Sequence, residues 1–235
     1  MVTTVLFDLD GTLLPMELYP FMDRYFTLLI EKLSAHGYDP QKVNDGMWDG
    51  LHAMLGNDGS RTNEEAFWDA FCAVNGRDCR GDADLFHSFY LNEFQGARTA
   101  CGFDPEAAKT VAAVKEKGFR VVLATNPLYP PEATISRIRW AGMEPEDFEL
   151  FTTFETYHHC KPNPDYYREL LEKLDLRPEE CIMVGNDASE DLAALDAGIP
   201  VFLLPRYLVN RHDRDISDVP QGDFRDLLRY LDTLN

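Results

Sequence analysis

The stretch VLFDLDGTLL, residues 5–14, places two carboxylates at the end of a short apolar segment. The residues from Val2 to Leu9 predict a short buried β-strand, and the chain turns at Gly11 directly after Asp10. A buried carboxylate without a partner is costly, and two like charges side by side are costlier still. Either the rest of the chain compensates Asp8 and Asp10, or these carboxylates serve a purpose that outweighs their cost.

The composition indicates a globular protein that works in a reducing compartment. The chain has 235 residues, of which 45% are hydrophobic, enough for one large domain or for one domain with a sizeable insertion. No apolar run approaches the roughly 18 residues of a membrane helix, and Asp8 and Asp10 interrupt the only early apolar stretch, so no signal peptide is predicted. The five cysteines form no CxxC pair, which argues against a disulfide framework or a zinc site. We therefore expect a cytoplasmic location.

The net charge of -19 restricts the possible partners. Nucleic acid and anionic membrane are excluded as expected partners, because both would be repelled by an acidic surface. The same surface repels an anionic substrate at long range, so a site for such a substrate needs local positive charge. The oligomeric state is left open by the sequence.

The predicted secondary structure changes twice along the chain. After the first strand, apolar spacing predicts helices only, in segments 16–36, 40–55, 63–75 and 83–95, with Thr62 and Glu65 forming a capping box before the third. Strands then alternate with helices. The predicted strands are 119–125, 151–154, 181–185 and 201–204, and the predicted helices are 105–118, 131–141, 164–174 and 188–197. This alternation predicts an α/β fold, with a parallel sheet covered by helices on both faces and a helical insertion after the first strand.

Polar side chains follow four of the predicted strands. In open parallel sheets, ligands bind outside the carboxyl ends of the strands, so we expect these side chains to meet. Clustered carboxylates favour Mg²⁺, particularly where a phosphate supplies further oxygen ligands. A lysine and a hydroxyl among them could hold the anion beside the metal. The residues concerned are Asp8, Asp10, Thr12, Thr125, Asn126, Lys161, Asn186, Asp187 and Asp191.

These residues form four motifs in a fixed order: Asp8-Leu9-Asp10-Gly11-Thr12, Thr125-Asn126, Lys161-Pro162, and the run from Gly185 to Asp191. Their order and spacing resemble those of the haloacid dehalogenase (HAD) superfamily. The resemblance implies a Rossmann-like, three-layer parallel-sheet core formed by residues 1–15 and 100–235. It also implies that residues 16–99 are an inserted α-helical cap of the C1 type.

The resemblance also implies catalytic roles. Asp8 would be the nucleophile that attacks phosphorus and forms an aspartyl-phosphate. Asp10 would be the general acid that protonates the leaving oxygen and then the base that activates water. Thr125 would hold phosphoryl oxygens together with the backbone amide of Asn126, and Lys161 would neutralise charge on Asp8 and on the phosphoryl group.

A bound Mg²⁺ is the implied cofactor. Its ligands would be the carboxylate of Asp8, the backbone carbonyl of Asp10 and the carboxylate of Asp187. Asp191 would either bind the metal through water or orient Lys161. An asparagine precedes Asp187 in the fourth motif, which leaves open which carboxylate reaches the metal directly.

The sequence therefore predicts a Mg²⁺-dependent phosphatase acting on a small phosphorylated metabolite. Family members that remove halide lack an acid at the position of Asp10, so this residue favours phosphate transfer. Two alternatives are a phosphomutase of the same superfamily and a catalytically silent module that binds phosphate esters. Weaker candidates for substrate contact lie near the ends of the insertion, at Met16, Tyr19, Phe21 and Arg98.

Overall fold

The computed structural model describes residues 1–234, so Asn235, the last residue of the predicted 100–235 segment, lies outside the described part. Four parallel strands form one sheet in the order β2-β1-β3-β4. They are β1 (Thr4–Phe7), β2 (Arg120–Leu123), β3 (Cys181–Gly185) and β4 (Val201–Leu203). The predicted α/β fold with a parallel sheet is confirmed.

The strand register places the first motif at the carboxyl end of β1, an inner strand of the sheet. Phe7, the last residue of β1, pairs with Leu123 on one side and Val184 on the other. The backbone amide of Asp8 continues this pattern and donates to the carbonyl of Val184 at 2.9 Å. The first carboxylate therefore leaves the sheet between the ends of β2 and β3, where side chains from both neighbouring strands can reach it.

Helices cover both faces of the sheet. They are α5 (Pro105–Glu116), α6 (Pro131–Trp140), α7 (Pro164–Leu174) and α8 (Phe224–Asp232). Successive residues of a strand point to opposite faces. Accordingly, Val5 packs in a hydrophobic cluster that includes Val111 of α5 and Leu227 of α8. Leu6 packs in a second cluster that includes Leu170 of α7. These two clusters account for the three layers.

The segment between β1 and α5 is helical, as predicted. Its helices are α1 (Leu18–Ser34), α2 (Pro40–Leu55), α3 (Asn63–Asn75) and α4 (Ala83–Leu91). The predicted capping box is present at the start of α3, where the Thr62 hydroxyl accepts from the Glu65 amide and the Glu65 carboxylate accepts from the Thr62 amide. The fourth predicted helix is shorter than expected, and a 3₁₀ segment (Glu93–Ala100) follows it.

The helical insertion, residues 16–99, begins and ends at one place. Met16 forms an isolated antiparallel bridge with Cys101, and the amide of Gly102 donates to the carbonyl of Pro15 at 2.6 Å. Its buried aromatic residues, such as Phe21, share one hydrophobic cluster with the α5 and α8 face of the sheet. Whether the insertion behaves as a separate domain with the predicted boundaries stays a prediction.

Two predicted elements differ from the structure. Residues 151–154 were expected to form a strand, but the hydrogen bonds to β2 come from residues 149–152. The amides of Glu149 and Thr152 donate to the carbonyls of Val121 and Leu123, and Phe151 forms an isolated bridge with Leu123. After that bridge the chain leaves the sheet, because the amide of Phe154 donates to the carbonyl of Tyr129 at 3.1 Å instead. The helix expected over 188–197 is also wrong. The chain makes a tight turn there and then a 3₁₀ segment (Leu192–Ala197) stopped by the left-handed Gly198.

Among residues 1–234, no helix combines the length and the apolar character that crossing a membrane requires.

Candidate active site

The carboxyl ends of the strands open into a cavity of about 310 Å³ between the sheet and the helical insertion. This is where open parallel sheets bind ligands. Six of the seven residues to which the family resemblance assigns a role in catalysis, metal binding or phosphate binding line this cavity: Asp8, Asp10, Thr125, Asn126, Asp187 and Asp191. The seventh, Lys161, is fully buried and lies behind Asp8, so it contacts the site through carboxylates rather than through the cavity.

Lys161 joins two of the predicted carboxylates. Its Nζ lies 3.0 Å from Oδ1 of Asp8 and 2.7 Å from Oδ1 of Asp191. Burial alone would lower the pKa of Lys161, but the charges of Asp191 and Asp8 hold it well above its ordinary value. Burial raises the pKa of Asp8 to about 7, against the opposing charge of Lys161. The lysine is therefore a fixed cation beside the predicted nucleophile.

Both carboxylate oxygens of Asp191 are occupied by the protein itself. One holds Lys161, and the other accepts from the backbone amides of Asn186 and Asp187, each at 2.9 Å. Gly185 makes room for this arrangement, because a Cβ at that position would lie 2.0 Å from Oδ2 of Asp191. Two roles were expected for Asp191: binding the metal through water, or orienting Lys161. This geometry fits the second role.

Asp10 has a partner that the sequence analysis did not identify. Its Oδ2 forms an ion pair with Nη1 of Arg137, a residue of α6 that is fully buried. The guanidinium stacks 4.0 Å from the ring centre of Tyr129 and donates to the hydroxyl of Thr134 at 3.2 Å. Burial raises the pKa of Asp10, and the charge of Arg137 opposes that rise. The other oxygen, Oδ1 of Asp10, is buried without a hydrogen-bond partner among residues 1–234.

A sequence signal for Arg137 does exist. Ala133, Arg137 and Trp140 lie three and four positions apart and are all buried, so they share one face of α6. An arginine at an apolar position of a buried helix face needs an anion beside it. That requirement, applied to α6, would have pointed to a buried carboxylate at the sheet edge.

Oxygen-bearing groups suited to a hard cation lie at the carboxyl ends of the same strands. The carboxylates of Asp8 and Asp187 line one cavity, and the carbonyl of Asp10 accepts no hydrogen bond from another described residue. One oxygen of Asp187 accepts from the amides of Ser189 and Glu190 at 2.7 and 3.0 Å, which fixes its orientation. Within residues 1–234, no three acidic, histidine or cysteine side chains converge as a metal site. Two carboxylates and one carbonyl nevertheless fit Mg²⁺, which keeps several ligands from water and substrate.

The second motif provides groups that fit an anion. The carbonyl of Thr125 is held by the hydroxyls of Thr152 at 2.5 Å and Tyr166 at 3.0 Å. The Asn126 side chain ties this motif to the third one, because it accepts from the amide of Lys161 at 3.1 Å and donates to its carbonyl at 3.2 Å. The backbone amide of Asn126 donates no hydrogen bond to another residue of the described 1–234 segment.

Asn186 has a structural role next to the first motif. Its Oδ1 accepts from the Thr12 hydroxyl at 2.9 Å, and its Nδ2 donates to the carbonyl of Tyr207 at 2.7 Å. A Cβ on the left-handed Gly11 would lie 2.4 Å from Nδ2 of Asn186, so only glycine allows this approach. The asparagine thus braces the turn after β1. Of the weaker candidates for substrate contact, Met16 and Tyr19 line the cavity, whereas Phe21 and Arg98 do not.

Comparison with known proteins identifies the family. A family model described as haloacid dehalogenase-like hydrolase matches residues 2–198. The chain is 27% identical over 207 residues to ribulose-1,5-bisphosphate 5-phosphatase of Halopiger xanaduensis, covering 84% of this chain and 82% of the relative. It is 25% identical over 223 residues to the protein CbbY of Cereibacter sphaeroides, covering 91% and 88%.

A similar fold is seen in the crystal structure of 2-haloacid dehalogenase from Pseudomonas syringae pv. tomato. The TM-score is 0.65 at 20% identity, and the alignment covers 100% of both chains. The resemblance drawn from the four sequence motifs is therefore confirmed. The chain belongs to the haloacid dehalogenase-like hydrolases.

Proposed function

We propose that this hydrolase is a Mg²⁺-dependent phosphatase that cleaves a small phosphate monoester through an aspartyl-phosphate on Asp8. One observation carries the proposal: Asp8 is held by the buried Lys161 on one side and faces the cavity, which Asp10 also lines. A nucleophile and an acid–base partner then share one site. Support also comes from a relative at 27% identity that is named as a phosphatase of ribulose-1,5-bisphosphate.

In the first step, a carboxylate oxygen of Asp8 attacks phosphorus and the ester P–O bond breaks. The leaving oxygen takes a proton from Asp10. Burial, which raises the pKa of Asp10, favours the protonated form that this step needs. Arg137 touches Asp10 rather than the substrate, so we assign it as a positioning residue that fixes the carboxyl group.

In the second step, water attacks the phosphorus of the aspartyl-phosphate. Asp10, now a carboxylate, accepts a proton from that water. The P–O bond to Asp8 breaks, which regenerates the nucleophile and releases inorganic phosphate. Lys161 remains 3.0 Å from Asp8 in the resting structure and would offset the negative charge of the nucleophile in both steps.

We assign the carboxylates of Asp8 and Asp187 and the carbonyl of Asp10 as the ligands of the metal. When bound, Mg²⁺ would offset negative charge shared by the nucleophile and the phosphoryl group. Asp191 would act as a positioning residue for Lys161, because both of its oxygens are already engaged. Thr125 and the amide of Asn126 would hold the phosphoryl oxygens.

We propose hydrolysis rather than phosphoryl transfer to a second phosphorylated sugar. A mutase must hold a second phosphate, and this needs cations away from the reacting group. Arg211 is the only arginine or lysine that lines the cavity among residues 1–234. The catalytically silent alternative receives no support from the site, because all seven predicted residues are present with compatible geometry.

Hydrolysis of p-nitrophenyl phosphate, with and without Mg²⁺, tests the proposal. We expect turnover that disappears on removal of Mg²⁺ and that Asp8→Asn abolishes, because the amide is no nucleophile. Asp218→Asn, an exposed substitution outside the cavity, is the control and should retain the rate of the wild type. Metal-independent turnover, or turnover by Asp8→Asn, would refute the mechanism.

A further inference from the structure

The part of the cavity lining that comes mainly from the helical insertion is apolar. It is built by α1, α2 and α3 of the helical insertion and by three loops of the core. The hydrophobic side chains on this wall are Leu18, Met22, Phe26, Met47, Trp48, Leu51, Met54, Leu55, Phe67, Leu128, Phe154 and Val209. We refer to these twelve residues as the apolar wall. A group bonded to the reacting phosphate would extend from the acidic side of the cavity toward them.

Exposure of the apolar wall indicates that it faces a ligand. Nine large hydrophobic residues within 1–234 are notably exposed, and four of these line this single cavity. They are Leu18 at 37%, Tyr19 at 70%, Trp48 at 37% and Leu55 at 41%. Apolar side chains concentrated at one concave site are typical of a binding surface, whereas scattered ones need no explanation.

The insertion contributes five side chains with hydrogen-bonding groups to the lining, namely Tyr19, Tyr25, Trp48, His52 and Tyr90. Tyr25 and Tyr90 bond to each other through their hydroxyls at 2.6 Å. His52 and Arg211 are the remaining basic groups of the lining, and both are exposed. A polyhydroxylated leaving group buried here would lose water without gaining partners for most of its hydroxyls.

We infer that the substrate is a monophosphate ester of a hydrophobic alcohol or phenol, whose hydrocarbon part packs on the apolar wall. This inference rests on the proposed function, because it assumes that a phosphate ester reacts at Asp8. It adds the chemical class of the leaving group, which the four motifs do not specify. Burial of hydrocarbon against the apolar wall would drive binding. Polyhydroxylated esters would be disfavoured, because their hydroxyl groups would be left without hydrogen-bond partners.

A pair of substrates with the same carbon skeleton tests the inference. Cyclohexyl phosphate and myo-inositol 1-phosphate both carry phosphate on a six-membered carbon ring and differ by five hydroxyl groups. We expect kcat/KM to be at least about tenfold higher for cyclohexyl phosphate, since a single unpaired group at a binding site is worth about that factor. The inositol oxygen is the better leaving group, so intrinsic reactivity cannot produce this preference.

Variants of the apolar wall connect the preference to the site. Leu51→Asn and Leu55→Asn should each lower kcat/KM for cyclohexyl phosphate several-fold and leave that for myo-inositol 1-phosphate unchanged or higher. Leu91→Asn is the matched control for Leu55→Asn. Both leucines are the exposed last residue of a helix in the insertion, but Leu91, at 53% exposure, lies outside the cavity lining. Thermal unfolding of each variant checks that the fold is retained.

The possible results distinguish a failure of the proposed phosphatase function from a failure of the inferred substrate class. Absence of turnover for every phosphate ester, including p-nitrophenyl phosphate, would refute the proposed function. Turnover of p-nitrophenyl phosphate together with equal or higher kcat/KM for myo-inositol 1-phosphate would overturn the inference alone. So would p-nitrophenyl phosphate turnover without measurable turnover of cyclohexyl phosphate, because the wall would then fail to accept an apolar ring.

Discussion

The buried pair formed by Arg137 and Asp10 should contribute strongly to stability. The Arg137 side chain is 0% exposed and that of Asp10 is 22% exposed. Breaking a buried ion pair by removal of one partner costs about 3–5 kcal/mol. Since water partly reaches Asp10, we expect Arg137→Met to lie at the lower end, about 3 kcal/mol. For a chain of this size, that corresponds to a fall in Tm of about 6–12 °C.

A double-mutant cycle measures the pair directly by thermal unfolding followed by circular dichroism. Asp10→Asn leaves the fully buried guanidinium without its anion, so it should destabilise the protein by a similar amount. The double variant should be less destabilised than the sum of the two single variants, by about 2 kcal/mol or more.

Arg139→Met provides the matched control for this cycle. Arg139 lies two residues further along α6 and pairs with Glu144 at 2.9 Å, but both side chains are more than half exposed. Exposed pairs are worth about 1 kcal/mol or less, so this variant should shift Tm only slightly. If Arg137→Met shifts Tm no more than Arg139→Met does, or if the cycle is additive, the assigned interaction is wrong.

Three further predictions concern the fourth motif and one acid outside it. Asp187→Ala should raise the Mg²⁺ concentration for half-maximal turnover by about tenfold or more, whereas Asp191→Ala should lower kcat with little change in that concentration; equal shifts would contradict the assigned roles. Gly185→Ala should lower kcat at least about tenfold, because the added Cβ would displace Asp191. Gly81→Ala should leave kcat unchanged, because a Cβ added there would lie within 4 Å of no atom outside its chain neighbours. Burial raises the pKa of Glu155 to about 7 from an ordinary 4.5, so the folded state disfavours its charged form and the protein should lose stability as pH rises between these values. Glu155→Gln should therefore raise Tm at pH 8, by an amount equivalent to about 1 kcal/mol because this side chain is only partly buried, and should leave Tm nearly unchanged at pH 4; a gain of equal size at both pH values would refute this explanation.

The sequence predicted the placement of the site because parallel strands impose it. Continuous apolar runs identified β1 and β3, and their carboxyl ends necessarily lie on one edge of the sheet. Asp8 and Asp187 could therefore be assigned to a common site from the sequence alone, and both line one cavity. The helices of the insertion were equally accessible, since their apolar spacing and the capping box at Thr62 are local signals.

What the sequence did not predict depends on contacts distant along the chain. Phe151 resembled the start of a strand, but a strand also needs a partner along its whole length, and the chain turns away after one bridge. The turn after β3 was read as a helix because its composition is helical, whereas Asp187 and Asp191 direct their side chains to nearby backbone amides. Arg137 lies 127 residues from Asp10, so no local pattern joins them.

The meeting of the two ends of the insertion has an evolutionary consequence. Pro15 and Gly102 are hydrogen-bonded, so everything between them enters and leaves the core through one closed junction. Because its two ends are held together, a change in loop length inside the segment need not shift the register that sets Asp8 between β2 and β3. The reacting groups lie outside this segment and most of the apolar wall lies inside it, so the two parts of the site can change independently.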